Sequence, residues 1–518
     1  MAYLITLALQ LRQLLAAAYL NADAASAPVI GEMFGGRTGH SLTLLGHLGW
    51  YSTLLFERAT HWLPLHRQVW EAAPYAMALC SAVLVGWGAW RVAGRWAAAV
   101  SLSIVVCAGP EMLSLLSVLN DHAPTWFTLA LLGSFVVLLE RQADRLGWVS
   151  MGALAIFVGA VLGANAASDV LLTISGAVPF LLAAGATWLL QPSRRSARAA
   201  LVALATGGIA LLSGILLHAY MHHQDVMAVV DANTSTLVAA ESVGRNFRLW
   251  WQSLAILGSG NFFGQAVGFS VVLAFACAVL TIGAVVALPR IARSQLAQSL
   301  AARRAGRHAP ADGALLAWCV FWSSSALLLS TAFIFSGIPE DLGSSRYLVG
   351  LVLAAAALVP LLGGRSTLAR AAVTAAVTVY AFTGWLALAQ ERIAPPASPS
   401  DQLANAVLKF TRQEHLAVGY SGYWDAAPIT WATHLGVNVF PVQECDGNQH
   451  LCGFELHIIT SWYTPRPGAR SFLLSDPAYP SVPSAPTPDL GKPIAVHQIG
   501  QVMMYVYPYD IASRLFAL

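Results

Sequence analysis

Charged side chains are scarce in this chain. Asp, Glu, Lys and Arg make up only 10% of its 518 residues, whereas 57% of the residues are hydrophobic. A soluble globular domain carries about 25% charged residues. The composition therefore excludes a soluble protein and indicates one that is embedded in a membrane. The small net charge of +3 carries no signal for nucleic acid, and we expect none as a partner.

The chain also lacks the short motifs of several common enzyme classes. It has no P-loop, G-x-S-x-G elbow, H-E-x-x-H zinc motif or nucleotide-binding fingerprint in a suitable context. No domain for a nucleotide-linked sugar is therefore expected on the cytoplasmic side. An enzyme that works on the outer face without such a domain needs an activated donor that reaches it within the membrane.

Long apolar segments fill most of the chain up to residue 390. A helix needs about 20 apolar residues to cross the ~30 Å hydrocarbon core of a bilayer. The predicted fold class is mainly α, a polytopic transmembrane helical bundle of about 11 spans with a small C-terminal α/β exported domain. The predicted spans are 3–20, 72–90, 97–118, 124–139, 147–166, 170–190, 199–219, 268–289, 314–336, 346–363 and 371–389.

Arginine is unevenly divided between the loops that join these segments. Arg194, Arg195 and Arg198 lie in a loop that is cytoplasmic if the N-terminus is cytoplasmic, and acidic residues concentrate in the opposite loops. The positive-inside rule then predicts a cytoplasmic N-terminus and, with an odd number of spans, a C-terminal region on the outer face. We expect a bacterial-type inner (plasma) membrane, with a periplasmic or extracellular C-terminal domain.

A Pro- and Ser-rich break ends the membrane body. Residues 394–400 read Ala-Pro-Pro-Ala-Ser-Pro-Ser, a sequence that stops a helix. We predict a transmembrane body at 1–390, a linker at 391–400 and an exported α/β domain at 401–518. This domain is predicted to contain a helix at 401–413 and strands at 417–420, 437–442, 471–474 and 502–506.

Two predicted outer loops, 21–71 and 220–267, are long. The first contains stretches at 42–48 and 51–62 that we interpret as short helices on the membrane surface. In the second, aromatic residues recur at helical spacing over 243–257, which predicts an interfacial helix with its aromatic side in lipid. Membrane anchoring and a substrate role are both open for it.

Two of the six cysteines, Cys445 and Cys452, fall in the exported domain. In an oxidising compartment such a pair is expected to form a disulfide that closes a short loop. Two free thiols are the alternative. The other cysteines lie within predicted spans, where cysteine usually acts as a small apolar residue.

Ionisable residues within or at the edges of spans are the first candidates for a functional site. Each costs roughly 2.5–3.5 kcal/mol to insert into a membrane. The outward set comes from different spans but maps to one predicted outer level, so one outward-opening polar cavity would account for it. Its members are Asp23, Glu111, Asp121 with His122, Asp169 and Arg346.

Asp23 directly follows the first apolar segment. A carboxylate held at a helix end suits a general base, which takes a proton from an attacking hydroxyl. Asp23 would also serve as the N-cap of a helix over the apolar residues 27–34. Taken alone, its position favours the capping role.

The other candidates also have structural alternatives. Asp121 and His122 suit a divalent cation or sugar hydroxyls, but they also fit an ordinary turn. Glu111, inside a span, needs a partner or a cavity. Asp169 would cap the helix that it precedes or contact a substrate. The planar guanidinium of Arg346 suits a phosphate group, with anchoring to lipid headgroups as the alternative.

Aromatic residues are concentrated in two stretches of the exported domain, 419–425 and 461–463. Aromatic side chains stack on sugar rings, but in small domains they more often form the core. Trp424 and Asp425 are the candidates for a sugar contact there, and Asp425 is predicted to be exposed.

These features together resemble the GT-C class of polytopic membrane glycosyltransferases, which includes protein O-mannosyltransferases, aminoarabinose transferases and bacterial arabinofuranosyltransferases. The resemblance covers the membrane body, from the Asp-bearing first outer loop and the basic turn at 91–95 to the stretch 345–347, Ser-Arg-Tyr. The exported tail is similar to soluble domains that follow the membrane part in several members. The class implies inverting transfer of a sugar from a polyprenyl-phosphate-linked donor to an envelope glycan, lipid or protein on the outer face.

By position in that class, Asp23 would be the general base, and Arg346 with Tyr347 would bind the donor phosphate. Asp121 and His122 would be the candidate ligands of a divalent cation, Mg or Mn. At the expected place in the first loop the chain has one acid, Asp23, where some members have a pair, so the cofactor is left open. The acceptor cavity would be lined by Glu111, Asp121, His122 and Asp169.

Two other functions use the same residues. A transporter or flippase would guide the phosphate headgroup of a lipid-linked envelope precursor along these acids and the arginine. The chain shows no convincing inverted repeat, which disfavours a secondary transporter. A non-catalytic scaffold for envelope assembly would use the exported domain as its docking surface.

Overall fold

A computed structural model describes most of the chain. The predicted first span, 3–20, lies outside the described residues, as do Asp121 and the linker residues 391–398. The described residues are 22–34, 41–45, 50–63, 66–117, 122–229, 236–304, 312–364, 366–390, 399–416, 418–445, 450–479, 481–482 and 487–516.

Helices dominate the described residues. The helix α8 contains one π turn, and α13 begins and ends in 3-10 turns. In chain order the helices are α1 (Ala22–Phe34), α2 (Trp50–Thr60), α3 (His66–Ala93), α4 (Arg95–Val106), α5 (Pro110–Ser117), α6 (Ala123–Gln142), α7 (Trp148–Ala166), α8 (Val170–Leu190), α9 (Arg194–His223), α10 (Ala240–Leu257), α11 (Phe269–Arg304), α12 (Gly313–Phe335), α13 (Leu342–Gly363), α14 (Thr367–Gln390), α15 (Pro399–Gln413) and α16 (Tyr423–Ala432).

Eight helices of the described residues are long and apolar enough to cross a membrane, namely α3, α6, α7, α8, α9, α11, α12 and α13. The pair formed by α4 and α5 would be a ninth if it is one bent span. The helix α14 occupies the predicted span 371–389 and is not among the eight. The predicted fold class, mainly α with helices suited to a membrane, is confirmed, whereas the number of about 11 spans stays a prediction.

The predicted span at 97–118 is broken. The helices α4 and α5 meet at an angle of 93°. The second helix begins at Pro110, which has no backbone N–H to continue a helical hydrogen-bond ladder. The bend brings Glu111 to α13, where the Ser345 hydroxyl donates a hydrogen bond to Glu111 Oε1 at 3.2 Å.

The helix α13 lies at the centre of the bundle. Every residue from Val349 to Leu358 is buried, because α3, α4, α11 and α12 pack around this segment. Trp318 of α12 fixes the contact, since its indole N–H donates to the Ala357 carbonyl at 3.0 Å. A segment packed on all sides holds its own N-terminal turn in place. That turn carries Ser345, Arg346 and Tyr347.

Strands form two sheets. A three-stranded sheet has the order β2–β1–β6, and a six-stranded sheet has the order β5–β4–β3–β7–β9–β8. In chain order the strands are β1 (Leu42–Leu45), β2 (Val226–Val229), β3 (Val418–Ser421), β4 (Asn438–Glu444), β5 (Leu451–Gly453), β6 (Ile458–Ile459), β7 (Ser471–Ser475), β8 (Ala495–Ile499) and β9 (Val502–Tyr507).

The three-stranded sheet joins both long loops to the C-terminal region. Strand β1 pairs in parallel with β2 and antiparallel with β6. The predicted helix at 42–48 is therefore wrong over its described part. Leu42 and Leu44 are buried while Thr43 between them is not, which is the alternation of a strand. The predicted helix at 51–62 is confirmed as α2.

The six-stranded sheet forms the C-terminal α/β region. Strand β3 is parallel to β4 and β7, while β9 is antiparallel to β7 and β8. The four predicted strands coincide with β3, β4, β7 and β9, and the predicted helix at 401–413 coincides with α15. Cys445 and Cys452 form the predicted disulfide, with Cα atoms 5.7 Å apart.

The predicted interfacial helix at 243–257 exists as α10, but its aromatic side does not lie wholly on the surface. Trp250 is buried and donates from its indole N–H to the Ser330 hydroxyl at 3.2 Å. Asn246 is also buried and donates to the carbonyl of Ser336 at 3.0 Å. Phe247 remains exposed. These contacts dock α10 on the body, which an interfacial anchor does not require.

Candidate functional site

Asp23 lies in the first turn of α1, where its carboxylate meets the C-terminal region. The hydroxyl of Tyr423 donates a hydrogen bond to Asp23 Oδ1 at 2.6 Å. Tyr423 is buried, whereas Asp23 is half-buried. A carboxylate in the first turn also interacts favourably with the helix dipole. The acid is thus held between the body and the C-terminal region and is partly accessible to solvent.

Tyr423 is well positioned to hold that acid. It is the first residue of α16, directly after β3. The carboxyl ends of parallel strands are a common place for functional residues in α/β folds. Its ring stacks on Phe454 with centroids 4.8 Å apart, which restricts the motion of the hydroxyl. The helices α1 and α16 pack against each other along this contact.

A second acid of the first loop, Glu57, supports α1. Its side chain is only 5% exposed, and its Oε2 accepts a hydrogen bond from the Trp70 indole at 2.6 Å. Gly31 of α1 packs on it so closely that a Cβ at Gly31 would lie 2.7 Å from Glu57 Cγ. Glu57 thereby ties α1 to α2 and α3. The sequence analysis missed this residue; the available signal was an acid inside the aromatic stretch 51–62.

His122 and Asp169 form a buried pair between α6 and α8. The Nδ1 atom of His122 lies 2.6 Å from Asp169 Oδ2, and both side chains are almost completely buried. The Thr125 hydroxyl donates to the same oxygen. Asp169 Oδ1 accepts from the backbone N–H of Leu171 at 3.0 Å. Asp169 is therefore a helix cap that orients His122, and both of its oxygens are already engaged.

The other ring nitrogen of His122 tests whether a metal fits here. Nε2 is buried and has no hydrogen-bond partner among the described residues. A histidine oriented by a carboxylate through one nitrogen can ligate a metal through the other. Within the described residues, however, no three His, Cys, Asp or Glu side chains are grouped as a metal site would need. The described residues supply one ligand and do not fit a complete Mg or Mn site, which remains a prediction that also involves Asp121.

Arg346 and Tyr347 extend the pair toward α13. The Arg346 guanidinium lies over the Tyr347 ring, 5.2 Å from its centroid, and donates to the Tyr347 hydroxyl at 3.2 Å. The Tyr347 ring in turn packs edge-on against His122, with centroids 5.3 Å apart. The planar Arg346 cation is half-buried beside an aromatic wall. This setting suits a bound phosphate group.

The predicted site residues that the structure describes thus fall into two groups. The first is Asp23 with Tyr423. The second runs from Asp169 through His122 and Tyr347 to Arg346, and Ser345 connects Glu111 to the same turn of α13. The described contacts do not join the two groups to each other, so a single cavity shared by all of these residues stays a prediction.

Trp424 and Asp425 differ from each other in exposure. Trp424 is 42% exposed and stacks on Tyr479, which is 43% exposed, with centroids 6.2 Å apart. Asp425 was predicted to be exposed, and this is wrong, since it is only 8% exposed. It lies one residue further along α16, and adjacent residues on a helix face different ways. Burial raises the pKa of Asp425 to about 7, and the charge of nearby Asp476 adds to the rise.

This raised pKa makes stability depend on pH. A carboxyl with a pKa of about 3.9 in the unfolded chain and about 7 in the folded chain binds more protons when folded. The contribution of the protonated carboxyl to the stability of the folded protein is fully present below pH 4 and is lost as the pH rises through 7. We expect Asp425→Asn to raise the thermal unfolding temperature at pH 8, with the gain vanishing near pH 4.

The measurement is thermal unfolding of the full-length protein at both pH values. Glu455→Gln serves as the control, because Glu455 is exposed in the same region. An equal effect of Asp425→Asn at pH 4 and pH 8 would contradict the assignment of the raised pKa.

A scan of the sequence against protein-family models found no match, and a search of curated proteins found none. Solved structures gave several. ArnT from Cupriavidus metallidurans in the apo state matches over 99% of both chains, with 12% identity and a TM-score of 0.46. The same protein bound to undecaprenyl phosphate also matches over 99% of both chains, with 12% identity and a TM-score of 0.43.

A further match is the Archaeoglobus fulgidus oligosaccharyltransferase in complex with Zn and sulfate. It is 14% identical, with a TM-score of 0.43, and the match covers 82% of this chain and 58% of that one. Both kinds of protein belong to the GT-C class that the sequence resembles. The TM-scores are all below 0.5, so the roles of individual residues are argued from the contacts of this chain.

Proposed function

We propose that this chain is a membrane glycosyltransferase that moves a sugar from a polyprenyl-phosphate-linked donor to an envelope glycan, lipid or protein on the outer face of the membrane. The observation that carries the proposal is the hydrogen bond between Tyr423 and Asp23 at 2.6 Å. It fixes a half-buried carboxylate at the start of a helix, between an apolar body and an α/β region. A lipid-linked donor and an acceptor at the membrane surface would meet at such a boundary.

In this proposal Asp23 is the general base. A hydroxyl oxygen of the acceptor attacks the anomeric carbon of the donor sugar and forms a new C–O bond. The bond between that carbon and the phosphate oxygen breaks, and the polyprenyl phosphate leaves with the electron pair. The acceptor proton passes to the Asp23 carboxylate. Attack opposite the leaving group inverts the anomeric carbon.

Arg346 is proposed to bind the donor phosphate. The guanidinium offers paired N–H donors that match two phosphate oxygens. Stacking on Tyr347 holds its plane, and Tyr347 is itself packed on His122. Charge on the leaving phosphate grows as the sugar departs, so a fixed cation here would stabilise the transition state more than the bound donor.

The acceptor side is proposed to include His122, whose buried Nε2 is a hydrogen-bonding group without a described partner. Glu111 lies beside the same turn of α13 through Ser345. Asp169 positions His122 and does not contact the acceptor, because its oxygens are already engaged. Trp424 with Tyr479 is an exposed aromatic pair next to Tyr423, and we propose it as a stacking surface for a glycan acceptor.

A membrane assay tests this function. Membranes with and without the chain are supplied with radiolabelled sugar nucleotides, so that resident enzymes form polyprenyl-phosphate sugars. We expect one labelled lipid to disappear only when the chain is present, with the label transferred to an envelope product. A transporter would instead move the intact labelled lipid between the leaflets of proteoliposomes without forming product. Persistence of every labelled lipid in the membranes would contradict the proposal.

A further inference from the structure

A charged cavity lies at the other end of the bundle from His122. Glu140, which lines it, is 18 residues further along α6, which is about 27 Å at ~1.5 Å per residue. The cavity has a volume of about 530 Å³ and is formed where the ends of α6, α8 and α11 meet the starts of α9 and α12. The charged side chains that line it are Glu140, Asp144, Asp312, Arg194, Arg195 and Arg303.

Glu140 is the unusual member of this cluster. Its side chain is 4% exposed, and its Oε1 has no hydrogen-bond partner among the described residues. Its Oε2 and Gln191 Oε1 both lie beside Gly313, since a Cβ on that residue would be 3.0 Å from Oε2 and 3.5 Å from Gln191 Oε1. Two acceptor oxygens, Glu140 Oε2 and Gln191 Oε1, therefore lie near each other beside the backbone of Gly313. A buried carboxylate oxygen without a donor is costly, so Glu140 is suited to pair with a cation that carries N–H donors.

Two arginines next to Glu140 pair with other acids. Arg195 pairs with Asp144 at 2.8 Å, and Arg141 pairs with Asp312. Arg141 also donates to the Arg91 carbonyl at 2.9 Å. These two arginines therefore do not neutralise Glu140 through a direct ion pair, and a cation from a ligand would do so. A primary ammonium carries three donors and suits the neighbouring oxygens of Glu140 and Gln191.

The rim of the cavity carries positively charged side chains, in contrast to the acceptor oxygens of Glu140 and Gln191. Arg194 and Arg303 are exposed there, and Arg303 donates to the Leu189 carbonyl at the end of α8. Guanidinium groups at a rim suit a phosphate. With three acids and three arginines in the lining, the cavity is balanced in formal charge. A ligand with one ammonium and one phosphate matches this arrangement better than a simple cation or anion.

The surroundings of the cavity are apolar. Trp188 is 46% exposed and Leu189 is 56% exposed on α8, and Leu300 of α11 is 41% exposed. In a membrane helix such residues face lipid tails. We infer that the cavity binds the headgroup of a phospholipid with a primary ammonium, of the phosphatidylethanolamine type. The ammonium lies on Glu140 and Gln191, the phosphate lies toward Arg194 and Arg303, and the acyl chains lie along α8 and α11.

Binding of dioctanoyl phosphatidylethanolamine to the full-length protein in detergent micelles tests this inference by native mass spectrometry. We expect Glu140→Gln to weaken binding at least tenfold, because a neutral amide cannot pair with the ammonium. Dioctanoyl phosphatidylcholine should bind the wild type at least tenfold more weakly, since its quaternary ammonium has no N–H to donate. Glu241 is an exposed acid on α10. The control variant Glu241→Gln should bind phosphatidylethanolamine as tightly as the wild type does.

A variant that leaves the charges intact covers the case in which Glu140→Gln fails to fold. Gly313→Ala places a methyl group against Glu140 Oε2. It should therefore also weaken the binding of phosphatidylethanolamine. Equal binding of phosphatidylethanolamine and dioctanoyl phosphatidylglycerol by the wild type would overturn the inference. Competition by free O-phosphoethanolamine at the same concentration as the lipid would also overturn it, because the acyl chains would then contribute nothing.

Discussion

Asp23→Asn should lower sugar transfer by about 10²–10⁴-fold, the usual contribution of a general base. Asparagine has nearly the same shape as aspartate, and its amide oxygen still accepts a hydrogen bond from Tyr423. It cannot take up the proton of the acceptor hydroxyl. The measurement is the rate at which the labelled polyprenyl-phosphate sugar disappears from membranes that contain equal amounts of the two proteins. Undecaprenyl phosphate should bind both proteins equally.

Two further variants separate the base from its surroundings. Glu32→Gln removes an exposed acid from the same helix, α1, and should leave the rate unchanged. Tyr423→Phe keeps the carboxylate but removes the hydroxyl that contacts it, so the rate should fall less than in Asp23→Asn. If Asp23→Asn retained more than a tenth of the wild-type rate, Asp23 would be a structural residue and the proposed base would be wrong.

Arg346→Ala should weaken donor binding by about 10–100-fold, because a hydrogen bond to a charged group contributes roughly 1.5–3 kcal/mol. Arg346→Lys should recover part of this loss, since lysine keeps the charge but not the planar fork. The probe is undecaprenyl phosphate added to the purified full-length protein, with thermal stabilisation as the readout. The difference in binding between wild type and Arg346→Ala should be larger at low salt than at high salt. At high salt, screening already weakens the contact between Arg346 and the phosphate in the wild type.

Arg248→Ala is the matched control for this prediction. Arg248 lies on α10, in the long loop 220–267, and is exposed. General attraction of anionic lipid to arginines on this side would make the two variants alike, in which case Arg346 would be an anchor for lipid headgroups. A selective loss in Arg346→Ala supports the phosphate site. The two outcomes correspond to the two interpretations that the sequence leaves open for this residue.

Long helices were the most predictable part of the fold. The helices α6, α7 and α8 begin and end within a few residues of the predicted spans, because each is an apolar segment bounded by polar or basic residues. The break between α4 and α5 was not predicted. Hydropathy is continuous across 97–118, and a proline inside an apolar segment does not by itself show whether a span is bent or continuous.

Strands and contacts between distant residues were less predictable. The stretch at 42–48 is apolar and short, and such stretches do not distinguish a helix from a strand by periodicity. The hydrogen bond from Tyr423 to Asp23 joins residues 400 positions apart, a relation that no local pattern carries. The same limit applies to Glu57, whose importance depends on Gly31 and Trp70. The position of Asp23 in the sequence was therefore enough to single it out. Its hydrogen-bond partner Tyr423 and the supporting residue Glu57 became evident only from the tertiary structure.

The sheet formed by β2, β1 and β6 has a mechanical consequence. Backbone hydrogen bonds connect the first long loop to the second and, over two residue pairs, to the C-terminal region. The C-terminal region cannot swing away from the body as a free lid unless it carries β1 with it or breaks that pairing. We therefore expect large molecules to reach Asp23 around the edge of this sheet, through gaps between helices. We do not expect them to enter through an opening made by movement of the C-terminal region.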